Sequence, residues 1–140
     1  EAVNLGIHAM LVLAANPGRR ISTVLIAEQL RVSSSHLAKV MQRLASAGLV
    51  SSMRGTTGGF VLARNPETIT VAQIADAIDP ARPFAACLLR MPRCMEGRCP
   101  VSELHENLHN LVRKHFDQVR LSDFQKNMES LSLPLASKAN

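Results

Sequence analysis

The sequence predicts a mainly α chain with a small β-wing, closing on a long C-terminal helix. Three observations predict it. The first 48 residues fall into three stretches with apolar residues at helical spacing, the last two parted by only the tripeptide "RVS". Two short strand-like runs then flank the glycine-rich tip "GTTGG". After a proline-punctuated stretch, apolar residues recur at three- and four-residue steps from Val101 to Val119.

The first helix is "AVNLGIHAMLVLAANPG", with Val3, Ile7, Met10, Leu11 and Ala14 on one face and a stop at Asn16, Pro17 and Gly18. The second is "STVLIAEQL", capped by Ser22 and facing inward through Ile26, Ala27 and Leu30. Ser33 caps the third, whose buried stripe is Leu37, Val40, Met41 and Leu44 and which ends at Gly48. A short helix, a tight turn and a longer amphipathic helix make a helix-turn-helix. The strand-like pieces at 50–54 and 60–64 follow the third helix directly, as a wing does. Residues 1–80 therefore read as a winged helix-turn-helix domain, completed by a helix opening at "ITVAQIADAIDP".

Pro83, Pro92, Gly97 and Pro100 forbid a long helix over residues 81–100, which read as a loop. A helix is expected over 101–128, its apolar seam running through Val101, Leu104, Leu108, Leu111, Val112, His115 and Val119. It is longer than a small domain needs for its own core, so it is expected to join two copies about a two-fold axis. Residues 129–140 are expected to be a disordered tail.

Charge placement points to a partner. Residues 1–64 hold seven Lys/Arg against Glu1 and Glu28, whereas residues 65–140 hold nine charges of each sign. The net charge of +5 thus sits wholly in the first half, as contact with a polyanion requires. With no Trp or Tyr and four Phe, the chain lacks the aromatic platforms on which single strands stack, which counts against single-strand and RNA-binding modules. The outward face of the third helix carries Ser35, His36, Lys39, Gln42, Arg43 and Ser46 and no acid, donors suited to base edges and phosphates in a major groove. Arg54 at the base of the wing suits a narrow minor groove. The candidate reading set is Ser33, Ser35, His36, Lys39, Gln42 and Arg43 with Arg54, Gly55, Thr56 and Thr57 of the wing.

No run of about 18 apolar residues exists, so no membrane span is expected. The start "EAVNLGIHAM" lacks a basic leader and a cleavage site, and it opens on Glu, so a missing or processed native start and a cytoplasmic location are expected. No phosphate loop, paired catalytic carboxylates or nucleophile elbow is present, and no enzymatic activity is expected.

All three cysteines, Cys87, Cys94 and Cys99, lie in "CLLRMPRCMEGRC". Their spacing is neither that of a zinc ribbon nor that of a bacterial ferredoxin. Arg82, Arg90, Arg93 and Arg98 bracket them, and nearby cations favour thiolates. Pro100 fits the first position of the helix that Cys99 precedes. The residues alone leave open both inert buried thiols and a thiolate site.

The stretch "HLAKVMQRLASAGLVSSMRGTTGGFVLARNPETITVAQIADAID" resembles the central part of the Rrf-two family of bacterial regulators, most specifically in "SSMRGTTGGFVLAR". The resemblance covers nearly the whole chain. It implies a homodimer on a palindromic operator, with Ser35, Lys39 and Arg43 facing the DNA and Arg54 in the minor groove. It further implies that Cys87, Cys94 and Cys99 ligate an iron–sulfur cluster, two-iron or four-iron, that senses redox state, iron or nitric oxide. A fourth ligand is needed. His8, one turn from Asn4, resembles positions where relatives donate a ligand from the partner subunit. Glu103, one turn beyond Cys99, and His105 are the alternatives. Two other readings stand beside this one: a cluster-free regulator whose thiols react directly or bind zinc, and an electron-transfer or interaction protein that does not bind DNA.

Overall fold

The computed structural model describes residues 1–53, 55, 58–80 and 102–124, with only the backbone described at 102 and 105. Helices α1 (Ala2–Ala14), α2 (Thr23–Leu30) and α3 (Ser34–Ser46) lead into strands β1 (Val50–Met53) and β2 (Gly59–Leu62). Helices α4 (Val71–Ile78) and α5 (Ser102–Gln118) follow. This is a winged helix with an added C-terminal helix, as the periodicity implied.

Helix α1 is the central element, packing on α3 and α4 while touching β2 and the turn after α5. Its burial is accordingly wider than one stripe. Val3, Gly6, Ala9, Met10, Val12, Leu13 and Ala14 are buried, whereas Ile7 and Leu11 are only partly so. The Ser22 hydroxyl accepts the Leu25 amide at 3.2 Å and so starts α2. Arg31 ends that helix in the left-handed region at φ 54°, where Val32 N donates to Ala27 O at 3.0 Å. This is the sharp turn that sets α3 across α2. After α3, Gly48 takes φ 68° and Leu49 N closes on Leu44 O at 3.0 Å, turning the chain into the wing.

Strands β1 and β2 pair antiparallel, Val50 opposite Leu62 through Met53 opposite Gly59. The wing is hooked to the start of α2 by a bridge that periodicity did not reveal: Ile21 N donates to Phe60 O at 3.0 Å, and Phe60 N to Ile21 O at 2.9 Å. Only glycine fits beside it, since a Cβ on Gly59 would lie 2.7 Å from the Ile21 carbonyl oxygen.

The Thr70 hydroxyl and the Gln73 side chain cap each other's amides at the start of α4. On α5, Arg113 bonds Asp76 at 2.7 Å and Asp117 at 3.2 Å, tying α5 to α4. These bonds, the one to Asp76 first, raise the guanidinium's pKa above its ordinary value. Ala72, Ala75, His109, Val112 and Phe116 line a small cavity beside this ion pair.

Two expectations for the last helix need correction. It ends at Gln118, well before 128. Tertiary pairing stops it: Val71 N donates to Val119 O and Leu121 N to Ile69 O, each at 2.9 Å, and Leu121 is fully buried. The Asp123 carboxylate then accepts the Arg120 amide at 2.8 Å in a closing 3-10 turn, Leu121–Phe124. The apolar seam is also two faces rather than one. Val112 turns toward α4, while Leu104, Leu108 and Leu111 form a stripe 60%, 46% and 66% exposed. At about 100° per residue, that stripe lies roughly 110° around the helix from the face made by His109, Val112 and Phe116.

Candidate nucleic-acid interface

Helix α3 divides cleanly. Leu37, Val40, Met41 and Leu44 are buried, and Ser35, His36, Lys39, Gln42, Arg43 and Ser46 are exposed on the opposite side. No acidic residue lies on the helix, so its outer face is uniformly neutral or positive. Open grooves flank it. One is lined by Ala2, Ser33, Ser35, His36, Lys39 and Arg43. The other is lined by Lys39, Gln42, Arg43, Ser46 and Ala77. A projecting, acid-free helix with a hairpin directly behind it is the geometry that enters a major groove.

Two residues of the reading set hold partners that sequence reasoning did not foresee. Ser33 occupies the N-cap position, but its hydroxyl lies 2.8 Å from the Ser35 hydroxyl instead of accepting an amide. The start of α3 is held by backbone instead, Leu37 N to Ser33 O at 3.0 Å. Arg43 Nη1 donates to the carbonyl of Ile78 in α4 at 2.6 Å. Gly55 is exposed at φ 113° at the wing tip, its carbonyl accepting Gly58 N at 2.9 Å. Arg54, Thr56 and Thr57 lie outside the described residues.

Most of the metal ligands expected from sequence fall outside the described residues. Cys87, Cys94 and Cys99 lie outside the described residues, as does the side chain of His105. Among the described residues, no three ligating side chains come together. Glu103 is exposed on the first turn of α5. His8 is exposed on α1, its Nδ1 2.7 Å from Asn4 O. A carbonyl can only accept, so Nδ1 is the donor in this bond.

Comparison with known proteins decides the class. The family described as "Rrf2: Iron-dependent Transcriptional regulator" matches residues 1–127. The chain belongs to the Rrf-two family. Its members are DNA-binding transcriptional regulators, not enzymes. A putative HTH-type transcriptional regulator of Aquifex aeolicus is 31% identical over 88% of this chain and 88% of its own length. The HTH-type transcriptional regulator IscR of Xenorhabdus nematophila is 32% identical over 77% of this chain, which spans 66% of that protein. Among solved structures, T. potens IscR superposes with a TM-score of 0.74 at 26% identity, covering 97% of this chain and 91% of that one. CymR, described as the global cysteine regulator of B. subtilis, gives 0.72 at 27% identity, covering 91% and 95%. Among the described residues, no helix is long and apolar enough to cross a membrane.

Proposed function

We propose that this chain is a homodimeric regulator whose grip on a palindromic operator is set by an iron–sulfur cluster held in residues 81–100. One observation carries the reading: every cysteine lies in the segment joining the winged helix of residues 1–80 to the helix with the uncovered leucine stripe. Cys87, Cys94 and Cys99 would hold the cluster, with His8 as the fourth ligand and Glu103 or His105 as substitutes. The donor set fits. Thiolates are soft ligands suited to iron, and His8 has its proton-bearing nitrogen anchored on Asn4 O with the other nitrogen able to coordinate. Such a cluster supplies a centre sensitive to oxidation, iron supply and nitric oxide.

The rest of the mechanism belongs to the chain's own residues. Leu104, Leu108 and Leu111 pair two copies of α5. That places two α3 helices to read half-sites about 34 Å apart. Ser35, His36, Lys39 and Gln42 meet base edges and phosphates, and Arg54, Gly55, Thr56 and Thr57 follow the backbone toward the minor groove. A shift of a few ångströms between two rigid heads breaks the match to successive grooves. The test compares wild type with the Cys87→Ser/Cys94→Ser/Cys99→Ser variant on a selected duplex, with and without iron–sulfur assembly. Wild-type affinity should change about tenfold and the variant's not at all. Equal affinities for wild type in both states would defeat the coupling.

The likeness to B. subtilis CymR favours a second reading, in which the thiols respond directly to oxidants or to cysteine supply, or bind zinc. A colourless, iron-free protein whose DNA affinity changes on thiol oxidation would support it.

A further inference from the structure

Arg43 stands on the reading helix, yet its guanidinium Nη1 is tied to the fold. The carbonyl it reaches, Ile78 O at 2.6 Å, is the last of α4. A helix leaves its final carbonyls without internal partners and its C-terminal end negative, so a cation from a neighbouring helix is well placed there. The helix cannot go on to absorb that carbonyl. Asp79 leaves helical geometry at φ −138°, ψ 76°, and its amide closes the last turn on Ala75 O at 2.9 Å.

The side chain of the same residue completes a joint. Ile78 is fully buried. A Cβ on Gly6 would collide with Ile78 Cδ1 and would lie 3.4 Å from the Val40 side chain. Thus α1, α3 and α4 converge on Ile78, and the missing side chain at Gly6 is what lets them. One bond from Arg43 and one buried side chain tie α3 to the end of α4.

We infer that Arg43 is a positioning residue, which sets the angle at which Ser35, Lys39 and Gln42 meet the groove, rather than a DNA contact. Two residues beyond Ile78 the chain passes Pro80 into the cysteine-bearing segment. On the function proposed above, the joint is therefore also where α3 feels a change in that segment.

The test uses the full chain and two duplexes of about 30 base pairs, enough for two half-sites. One duplex is recovered from a random pool by selection on wild type, and the other is its scramble. Arg43→Met keeps the length but loses the donor. It should weaken the selected duplex about tenfold. Binding to the scramble and the slope of log K against log salt should not change. Arg43→Lys, whose ammonium can still donate to the carbonyl, should recover most of the loss. Lys39→Ala is the contrast: it should weaken both duplexes and reduce the slope by about 0.9. If Arg43→Met weakens both duplexes equally with that same loss of slope, Arg43 is a phosphate contact and the inference is wrong.

Hydrogen exchange on the DNA-free chain reads the joint independently of any operator. Arg43→Met should speed exchange across residues 75–79, and unchanged exchange there overturns the joint. A wild type that cannot tell selected from scrambled duplex would instead defeat the reading role of α3, leaving the exchange result to decide the joint by itself.

Discussion

On the pairing of α5 proposed above, replacing Leu111 by Ala should weaken the dimer. Leu111 is 66% exposed in the single chain, the highest of the three leucines on the uncovered face of α5. Fully burying a leucine beyond its Cβ stabilises by about 2 kcal/mol. With two-thirds of the residue available to be covered, each copy loses about 1.3 kcal/mol. A two-fold interface uses the residue twice, so the loss is about 2.7 kcal/mol per dimer. That weakens the dimer constant roughly 100-fold. Sedimentation equilibrium over a dilution series measures it. The control is Val24→Ala: Val24 is 55% exposed but lies on α2, away from the stripe, and should leave the constant unchanged. Dimers unmoved by Leu111→Ala, or moved equally by Val24→Ala, would refute the assignment of this face.

Gly59→Ala should lower stability by about 2–3 kcal/mol, read by urea unfolding, because the new Cβ strikes the Ile21 carbonyl and parts the wing from α2. Arg31→Gly should raise stability by about 0.5–1 kcal/mol, since glycine accepts φ 54° without the strain of a side chain; a fall in the melting temperature would contradict this. Asp76→Asn should cost less than about 1 kcal/mol, because both partners of its ion pair with Arg113 are nearly half exposed. The pH profile of that pair follows from the raised Arg113 pKa. A base whose folded pKa is raised contributes fully below its unfolded value and loses the contribution only in strong alkali. The wild-type minus Asp76→Asn difference should therefore be flat from pH 6 to about 9.

Much of the reading head was legible because its signals are local. The stripe Leu37, Val40, Met41 and Leu44 needs only the period of a helix, and the wing needs only two short runs around glycines. What stayed hidden is tertiary. The Arg43–Ile78 bond spans 35 residues, and no side-chain spacing announces it. The bridge from Ile21 to Phe60 and the pairing that stops α5 at Gln118 are backbone bonds, blind to residue type. Val112 and Leu111 are both apolar neighbours on one helix, and hydrophobicity does not say that one faces α4 and the other stands exposed. The Ser33 hydroxyl failed to cap because Ser35 offered it a nearer partner.

On the proposed function, sulfur chemistry between the winged helix and α5 governs DNA binding. The most direct measurement is iron and acid-labile sulfide per chain in protein purified without oxygen, taken alongside its affinity for a selected duplex. The expected result is a brown protein carrying both elements, whose affinity shifts when they are removed. Colourless, iron-free protein binding the same duplex at full strength would contradict it.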